Sequence, residues 1–429
     1  MRIYHPPAPP EPGGEQNSAS RYRRYRAGEW AMTTERADIL IIGAGIIGLT
    51  LARELVKAGH GDILVIEKEP EPGKHASGRN SGVLHAGIYY SPDSLKAKSC
   101  LNGNRLMKEY CREKGLPLRE SGKVIVARTA EELPTLDDLF RRATINGARV
   151  ELIDERQLAE IEPNARTVAR ALLSHDTAVV DPKAVMKSLR TELERTGKVR
   201  ILCDCRLIGL KGSTTAVTSR GDIGFRRVIN AAGAYCDQVA ALFGVGKQYR
   251  LIPFKGLYRV LKPGTLYTIN SNIYPVPDIR NPFLGVHFTR SVAGDVYLGP
   301  TAIPAFGREN YGLFAGVDTD AFRIAVEDAL LFLVNPQFRS VALTEPKKYL
   351  PSYFFHDAAR LVKQLDPGDI APSSKVGIRP QLVNWETKQL VMDFMVQADG
   401  DALHVLNPIS PAFTSSMDLA QKMVLEHFR

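Results

Sequence analysis

The chain has 429 residues, of which 44% are hydrophobic and 24% charged, and its formal net charge is +9. This length exceeds what a single hydrophobic core normally serves, which excludes a small binding module or a disulfide-stapled mini-protein. The longest apolar runs, such as residues 39–44, are far shorter than the roughly 20 residues that a membrane-spanning helix needs. We therefore expect a globular protein with two substantial lobes and no transmembrane segment.

The cysteines and the charge distribution bear on the compartment and the partners. Five cysteines, an odd number with no C-x-x-C pair, fit a reducing compartment better than a disulfide framework. The first 36 residues contain six Arg and four Glu, so about +7 of the charge belongs to the rest of the chain. A diffuse positive field steers anionic ligands and favours anionic lipid headgroups, and we expect no nucleic-acid partner.

The first 36 residues differ in composition from the rest of the chain. They contain five prolines before residue 13 and show no amphipathic period, so we predict a disordered N-terminal extension over residues 1–36. Met32 is an alternative translation start, in which case residues 1–31 do not belong to the protein. A mitochondrial presequence around Arg21–Arg26 is a further alternative, although the glutamates and early prolines argue against it.

From Asp38 the pattern becomes that of an ordered α/β protein. A short apolar run, a glycine turn, a helix that ends at Gly59 and a second buried strand over residues 61–67 predict a βαβ unit. The alternation of apolar and polar residues over 249–300 predicts a mostly antiparallel sheet. We predict further helices over 95–114, 131–146, 321–333 and 347–365, from Pro182 and from about Pro411, and further strands over 199–203, 226–230 and 402–406.

The glycine-rich turn of the βαβ unit carries the first chemical signal. Gly43, Gly45 and Gly48 form a G-x-G-x-x-G fingerprint, in which the glycines allow a tight turn, close backbone approach to a pyrophosphate and close packing of helix on strand. Ile46 and Ile47 open the helix whose N-terminus attracts phosphate. Glu67 ends the second strand and is placed to accept hydrogen bonds from ribose hydroxyls. The unit therefore predicts a dinucleotide cofactor.

The residues that follow favour a flavin over a nicotinamide dinucleotide. A polar, glycine-rich loop over residues 74–90 offers backbone N–H groups, hydroxyls and the Asn80 amide to a second phosphate and a ring system. The segment 227–234 reads as a strand that ends in small residues, as is needed where backbone passes close to a bound dinucleotide.

These segments resemble a known family. The fingerprint and the segments 77–90, 230–234, 376–380 and 407–414 are similar to the D-amino-acid oxidase superfamily of flavoproteins. Within it, residues 80–87, 252–256, 283–290 and 298–300 resemble the L-2-hydroxyglutarate dehydrogenases. The resemblance implies FAD as cofactor. The cofactor-binding residues that it and the fingerprint indicate are Gly43, Gly45, Ile46, Ile47, Gly48, Glu67, Lys68, Asn80, Ser81, His85, Leu207, Ala232, Gly233, Gly377, Pro411, Ala412, Phe413 and Thr414.

The implied architecture is an α/β fold, with a Rossmann-type FAD-binding domain and an inserted α+β substrate domain built on a mostly antiparallel sheet. The FAD-binding domain is expected in three parts, and a mixed segment connects the first two. The expected divisions after the N-terminal extension are 37–115 (FAD-binding), 116–175 (mixed), 176–248 (FAD-binding), 249–370 (substrate-binding) and 371–429 (FAD-binding).

The same resemblance indicates the substrate-binding residues. Arg379 matches the arginine that clamps a substrate carboxylate, because a guanidinium grips a carboxylate with two parallel hydrogen bonds. Gly377 and Pro380 suggest that it lies in a constrained turn. Arg290 and Lys255 are the candidates for a distal carboxylate, although Lys255 stands where the family more often has arginine. Tyr89 is a further candidate for substrate contact.

Oxidation of an alcohol also needs a base for the hydroxyl proton, and neutral histidine is the usual one near pH 7. His287 and His85 are the candidates, and His85 is also expected to contact the flavin. His287 and Arg290 are three residues apart on a predicted strand and should point to opposite faces. No metal site is predicted.

The leading hypothesis is FAD-dependent oxidation of L-2-hydroxyglutarate to 2-oxoglutarate, with electrons passed to a quinone or to oxygen. One alternative is an amine or amino-acid oxidase of the same superfamily, and another is a flavin-bearing scaffold without such catalysis. The expected partners are a small dicarboxylate, an electron acceptor and a membrane surface, and the expected location is the cytoplasm with peripheral contact at the inner face of the membrane.

Overall fold

The computed structural model describes residues 35–278, 283–317 and 319–428. Residues 34–429 form one compact unit. The predicted N-terminal extension, apart from Glu35 and Arg36, lies outside the described residues, as does Met32. Within the described ranges, no helix is both long enough and apolar enough to cross a membrane.

The described residues contain strands and helices with the following bounds. The strands are β1 (Glu35–Ile42), β2 (Ile63–Ile66), β3 (Val83–Leu84), β4 (Leu118–Arg119), β5 (Lys123–Val126), β6 (Val150–Asp154), β7 (Arg170–Ser174), β8 (Ala178–Val180), β9 (Val199–Leu202), β10 (Leu207–Lys211), β11 (Thr215–Thr218), β12 (Gly221–Asn230), β13 (Tyr249–Leu261), β14 (Asn272–Pro275), β15 (His287–Arg290), β16 (Val296–Gly299), β17 (Ile303–Pro304), β18 (Ile370–Asn384), β19 (Gln389–Leu390), β20 (Val396–Asp399) and β21 (Ala402–Val405). The helices are α1 (Ile46–Lys57), α2 (Leu95–Glu113), α3 (Leu133–Ile145), α4 (Glu155–Ile161), α5 (Pro182–Arg195), α6 (Cys236–Leu242), α7 (Ala321–Val334), α8 (Pro336–Thr344), α9 (Pro351–Ala359) and α10 (Ala412–His427).

The first sheet has the order β10-β11-β12-β1-β2-β9, and β21 adds to β12 and to β20. Its central pairs, β12 with β1, β1 with β2 and β2 with β9, are parallel. The four residues of β2 are all buried, as expected for a parallel strand covered on both faces. Helices α1 and α10 pack against each other over one large core cluster. This sheet confirms the Rossmann-type arrangement predicted from the fingerprint.

The second sheet is built mainly from antiparallel pairs and has the order β19-β18-β13-β16-β15-β14-β5-β7-β6, with β17 on β13. Its longest pair is β13 with β18, in which Phe254 lies opposite Arg379. Three of its strands, β5, β6 and β7, come from the segment 116–175 that was expected to be mixed. A third, small sheet has the order β3-β8-β4.

Three sequence expectations differ from the structure in this region. Arg379 lies inside the long strand β18 and not in a turn, because Gly377 and Pro380 are both accommodated by the pairing with β13. The last FAD-binding part was expected to begin at residue 371, which is one residue inside β18. Because β18 belongs to the second sheet, this boundary cuts through a strand of that sheet. The helix expected over 347–365 is a short 3₁₀ turn followed by α9, since Pro351 starts a new helix and cannot continue the preceding one.

The turn between β1 and α1 shows why the fingerprint needs glycine. Gly43 has φ +104°, in the left-handed region that favours glycine, and its N–H donates to Ile66 O at 2.8 Å. A Cβ on Gly48 would lie 2.0 Å from Gly43 O, so α1 can approach β1 this closely only without a side chain there. The third glycine of the motif therefore holds the helix on the strand.

We expect Gly48→Ala to lower the free energy of unfolding by about 1–3 kcal/mol or more, because the new methyl group forces α1 away from the turn. Denaturant unfolding of the purified proteins measures the difference. Gly61→Ala is the matched control, since a Cβ at Gly61 meets no atom within 4 Å. Equal stability of Gly48→Ala and the control would contradict the packing role of Gly48.

Candidate active site

A cavity of about 640 Å³ is lined by residues from both sheets. Its volume lies within the range of about 300–1,000 Å³ found for small-molecule and cofactor sites. One end is formed by the β1–α1 turn and the segments that follow β2 and β12. The other end is formed by β13, β18 and the residues before β15. The cavity thus joins the fingerprint to the second sheet.

The fingerprint end presents backbone and one oriented carboxylate. Gly45 lines the cavity, and a Cβ there would meet only Ser77 Oγ, at 3.1 Å. The Glu67 carboxylate accepts hydrogen bonds from Ala44 N at 2.9 Å and from Glu69 N at 3.1 Å. These bonds fix its orientation and leave further lone pairs for hydroxyl donors. The residues fit a dinucleotide at this end.

The loop 73–83 folds along the cavity by means of its own side chains. Asn80 donates to Ser77 O at 2.8 Å and accepts from Gly82 N at 2.8 Å, and Gly82 has φ +80°. Ser77 Oγ accepts from Ile46 N at 2.9 Å and so ties the loop to the first turn of α1. Asn80 and Ser81 both line the cavity, as the sequence predicted.

Lys68 lines the cavity near its fingerprint end, but protein groups already bind its ammonium. It donates to Glu309 Oε1 at 2.5 Å, contacts His75 Nε2 at 2.8 Å and bonds to Glu69. Glu69, His75 and Glu309 have ligand atoms close enough to hold a metal ion, yet the Lys68 ammonium bonds to all three. The cluster joins the loop at Glu309 to the first sheet.

The C-terminal helix contributes its N-terminus to the cavity wall. Pro411, Ala412, Phe413 and Thr414 line the cavity at the start of α10, where the helix carries a partial positive charge. Thr414 Oγ1 accepts from His85 N at 3.1 Å. Gly103 of α2 lets the helices meet closely, since a Cβ there would lie 2.5 Å from Thr414 O. Leu207, Ala232, Gly233 and Gly377 also line the cavity, as predicted.

Arg379 is the cation at the second-sheet end. Its guanidinium carbon lies 4.9 Å from the centre of the Phe283 ring, and its Nε is buried without a hydrogen-bond partner. Among the described residues no carboxylate forms an ion pair with it. Burial lowers its pKa to about 10, so it remains charged at neutral pH. A half-buried cation that lines a cavity and has no carboxylate partner among the described residues is suited to binding an anion.

His287 lines the same cavity and has one nitrogen free among the described residues. Its Nδ1 contacts Gly285 O at 2.8 Å, and because a carbonyl only accepts, Nδ1 carries the proton. Its ring stacks on that of Tyr274 with centroids 3.8 Å apart. Burial lowers the pKa of His287 to about 3, so the ring is neutral and Nε2 is a proton acceptor.

His85 also lines the cavity, and its Nδ1 is buried without a hydrogen-bond partner in the described part of the chain. Burial, and then the charge of Lys123, hold its pKa well below the usual value. A buried polar atom without a partner is costly, so an unpaired Nδ1 at the cavity wall fits a ligand that supplies the missing hydrogen bond.

The structure does not bring four of the predicted residues to the cavity wall. Arg290 donates to Ile269 O at 2.9 Å, on the face of β15 opposite His287, as the strand period predicted. Lys255 lies between cavity-lining Phe254 and Gly256 and points away, donating to Gly312 O at 2.7 Å and Asn310 Oδ1 at 3.1 Å. The expectation that Arg290 and Lys255 clamp a distal carboxylate is therefore corrected: both brace neighbouring loops.

Tyr89 accepts a hydrogen bond from Lys123 Nζ at 3.1 Å and does not line the cavity. Gly48 packs against Gly43 and supports the turn from behind. The sequence reasoning missed Lys123 and Tyr274. A lysine at the start of the buried strand Lys-Val-Ile-Val was the available signal for the first. Tyr274 gave none, since its contact with His287 depends on the pairing of β14 with β15.

Comparison with known proteins gives concordant results. The family model described as FAD dependent oxidoreductase matches residues 38–420. The L-2-hydroxyglutarate dehydrogenase of Caenorhabditis briggsae is 36% identical over 91% of this chain and 92% of its own length. The human enzyme is 35% identical over 95% and 92%, and that of Indibacter alkaliphilus is 34% identical over 89% and 96%.

Solved structures share the fold. An L-alpha-glycerophosphate oxidase from Mycoplasma pneumoniae with FAD bound superposes with a TM-score of 0.72 and 22% identity over 92% of this chain and 96% of its own. A glycine oxidase from Geobacillus kaustophilus gives 0.67 and 20% over 92% and 95%. With its fingerprint turn and two-sheet cavity, this chain belongs to the FAD-dependent oxidoreductase family, and within it to the family of the L-2-hydroxyglutarate dehydrogenases.

Proposed function

We propose that this chain oxidises L-2-hydroxyglutarate to 2-oxoglutarate. The observation that carries the proposal is the presence, in one cavity, of a half-buried arginine and a neutral histidine; among the described residues the arginine has no carboxylate partner and the histidine Nε2 is free. A 2-hydroxy acid offers a carboxylate for the first and a hydroxyl proton for the second. The curated relatives, named for the same substrate over about nine-tenths of the chain, support it.

Arg379 binds the carboxylate next to the reacting carbon. Two parallel N–H···O bonds from a guanidinium fix the plane of a carboxylate, and the adjacent C–H bond is oriented with it. The strand β18 is held along its length by β13, so the guanidinium is placed by a rigid element. The Phe283 ring covers one side of it and excludes water.

His287 is the base. Its Nδ1–H is held by Gly285 O, which directs the lone pair of Nε2 to the substrate hydroxyl. The bound cofactor supplies the acceptor for the hydride that leaves the same carbon. His287 then holds the proton at Nε2. The Tyr274 ring stacked on the imidazole prevents rotation away from the substrate.

For FAD we propose the residues that line the fingerprint end. Gly43, Gly45, Ile46 and Ile47 present backbone to the pyrophosphate, and Glu67 accepts from the adenosine ribose. His85, whose Nδ1 has no hydrogen-bond partner among the described residues, and the N-terminus of α10 line the same cavity and would contact the flavin ring system. An amine oxidase of the same superfamily needs no protein base to oxidise a free amine. Because His287 is held in place as a proton acceptor, we favour an alcohol as the substrate.

The direct experiment is anaerobic reduction of the yellow protein. We expect L-2-hydroxyglutarate to bleach it quickly and D-2-hydroxyglutarate, lactate and glycine to bleach it slowly or not at all. Arg379→Met should lower kcat/KM for L-2-hydroxyglutarate by about 30-fold or more, since a buried charge pair with the substrate is worth on the order of 2–5 kcal/mol. Stopped-flow absorbance of the flavin measures both.

Arg290→Ala is the matched control, a half-buried arginine of the same sheet that does not line the cavity. It should keep kcat/KM near that of the parent protein at equal FAD content. Rapid bleaching by glycine would favour the amine oxidase instead. An Arg379→Met variant as active as the control would remove the arginine from substrate binding.

We infer further that the electron acceptor is a quinone reached at a membrane surface. Large exposed apolar side chains are frequent among the described residues between 306 and 353, and we take them to form one apolar face. They include Phe306, Leu313, Phe314, Phe322, Val326, Leu333, Leu343, Leu350 and Tyr353. Phe322, Val326 and Leu333 are four and seven residues apart and so lie on one side of α7. An exposed apolar face of this extent is typical of an interaction surface.

A lipid surface fits this apolar face better than a protein partner for two reasons. The chain carries a net charge of +9, which favours anionic headgroups. The opposite sides of α7 and α8 pack, through Leu331 and Phe338, against Phe254, which lines the cavity. The face is thus one helix layer from the active site, and a lipid-dissolved acceptor would arrive close to it.

The double variant Phe314→Ser/Phe322→Ser should lose most binding to vesicles of mixed neutral and anionic lipid. It should also reduce a vesicle-embedded quinone more slowly, with unchanged activity toward a water-soluble dye. Co-sedimentation and quinone reduction measure these effects, and Leu266→Ser is the control, because Leu266 is fully exposed outside this face. Undiminished vesicle binding would contradict the proposal, and a concentration-dependent dimer lost in the double variant would assign the face to a second copy.

A further inference from the structure

Lys123 is a fully buried lysine. Its side chain is 0% exposed, at the start of the buried strand β5. Its Nζ donates to Tyr89 Oη at 3.1 Å and lies 4.6 Å and 4.7 Å from the ring centres of Tyr89 and Tyr274. No carboxylate of the described residues forms an ion pair with it. Burying an ammonium in this way is unfavourable, so fold stability alone does not explain it.

Its position relates it to the proposed base. The Tyr274 ring that the ammonium contacts is the ring stacked on His287, with centroids 3.8 Å apart. The pairing of β5 with β14 and of β14 with β15 fixes this order. Lys123 thus lies one aromatic ring behind the cavity wall.

We propose that Lys123 is a positioning residue that keeps His287 neutral, and so able to accept the substrate proton, as the solution becomes acidic. This inference rests on the proposed function, because it takes His287 to be the base. Lys123 itself does not contact the substrate. It acts through the Tyr274 ring by the repulsion between two positive charges.

The charges around His287 support the sign of this effect. Burial lowers the pKa of Lys123 to about 7, so acidification below neutrality charges Lys123 before it charges His287. Once charged, Lys123 opposes a second proton on the imidazole. At a separation below about 10 Å and an effective dielectric constant of about 20, this repulsion corresponds to about one pH unit.

The other titratable groups near the pair do not cancel the charge of Lys123. Burial raises the pKa of the Cys100 thiol on α2 to about 12 and raises the pKa values of Tyr89 and Tyr274, so all three are neutral. His85 is neutral for the same reason as His287. Arg379 on β18 also stays positively charged, so it does not cancel the charge of Lys123.

The test is the pH profile of anaerobic flavin reduction by L-2-hydroxyglutarate. In Lys123→Met the acid limb of kcat/KM should move about one pH unit upward, because His287 then protonates more easily. Lys123→Arg, which restores a cation, should return the limb toward that of the parent. Lys108→Met is the matched control, since Lys108 is also buried but bonds to Asp176 O outside the cavity. Its limb should not move.

Lys123→Gln gives a second route if Lys123→Met yields no FAD-loaded protein. It removes the positive charge but keeps an amide that can donate to Tyr89 Oη, so the acid limb should again move upward. An unmoved limb in both variants overturns the inference, as does the same movement in Lys108→Met. A lower activity without a moved limb would assign Lys123 a structural role and likewise overturns it.

His287→Asn separates this inference from the proposed function. If the acid limb persists in His287→Asn, the base is another group and the proposed mechanism fails along with the inference. If the limb disappears in His287→Asn but does not move in Lys123→Met, the mechanism stands and only the role of Lys123 is rejected.

Discussion

The structure around the active site depends on one electrostatic constraint: Arg379 is half-buried in the cavity wall and has no carboxylate partner among the described residues. A guanidinium in such a place binds well when the fold holds it rigidly, and a bound anion then pairs with its charge. The twelve-residue pairing of β13 with β18 supplies the rigidity. The substrate carboxylate would supply the charge, so binding and orientation become the same event.

The two sheets form different ends of the cavity. The parallel sheet, through its glycine turn and Glu67, presents backbone and a fixed carboxylate at one end of the cavity. The second sheet places Arg379 and His287 at the other end, on strands three positions apart in its order. Helices α7 and α8 lie behind that sheet and expose the apolar face. In the proposed function, the cofactor, the substrate and a membrane surface would meet successive layers of the chain.

Local signals explain how much the sequence could predict. The βαβ unit, the helices α1 and α2 and the strand of His287 have clear periodicity, and the cofactor residues from Gly43 to Glu67 follow the spacing of the fingerprint. The later cofactor residues were indicated by the family resemblance. The positions of Lys255 and Arg290 depend on which face of its strand each side chain takes. A shift of one residue in register reverses that face. For Arg290 the alternation gave the right answer, whereas the need for a second cation argued the other way. Tyr274 and Lys123 became visible only with the pairing of β5, β14 and β15.

The position of the bound substrate carboxylate is the decisive test of the roles proposed for Arg379 and His287. A crystal structure of the oxidised, FAD-loaded protein with 2-oxoglutarate would show it directly. We expect the carboxylate next to the keto group to form two hydrogen bonds with Arg379, and the keto oxygen to lie within hydrogen-bond distance of His287 Nε2. A carboxylate bound elsewhere in the cavity, with Arg379 still unpaired, would contradict the account.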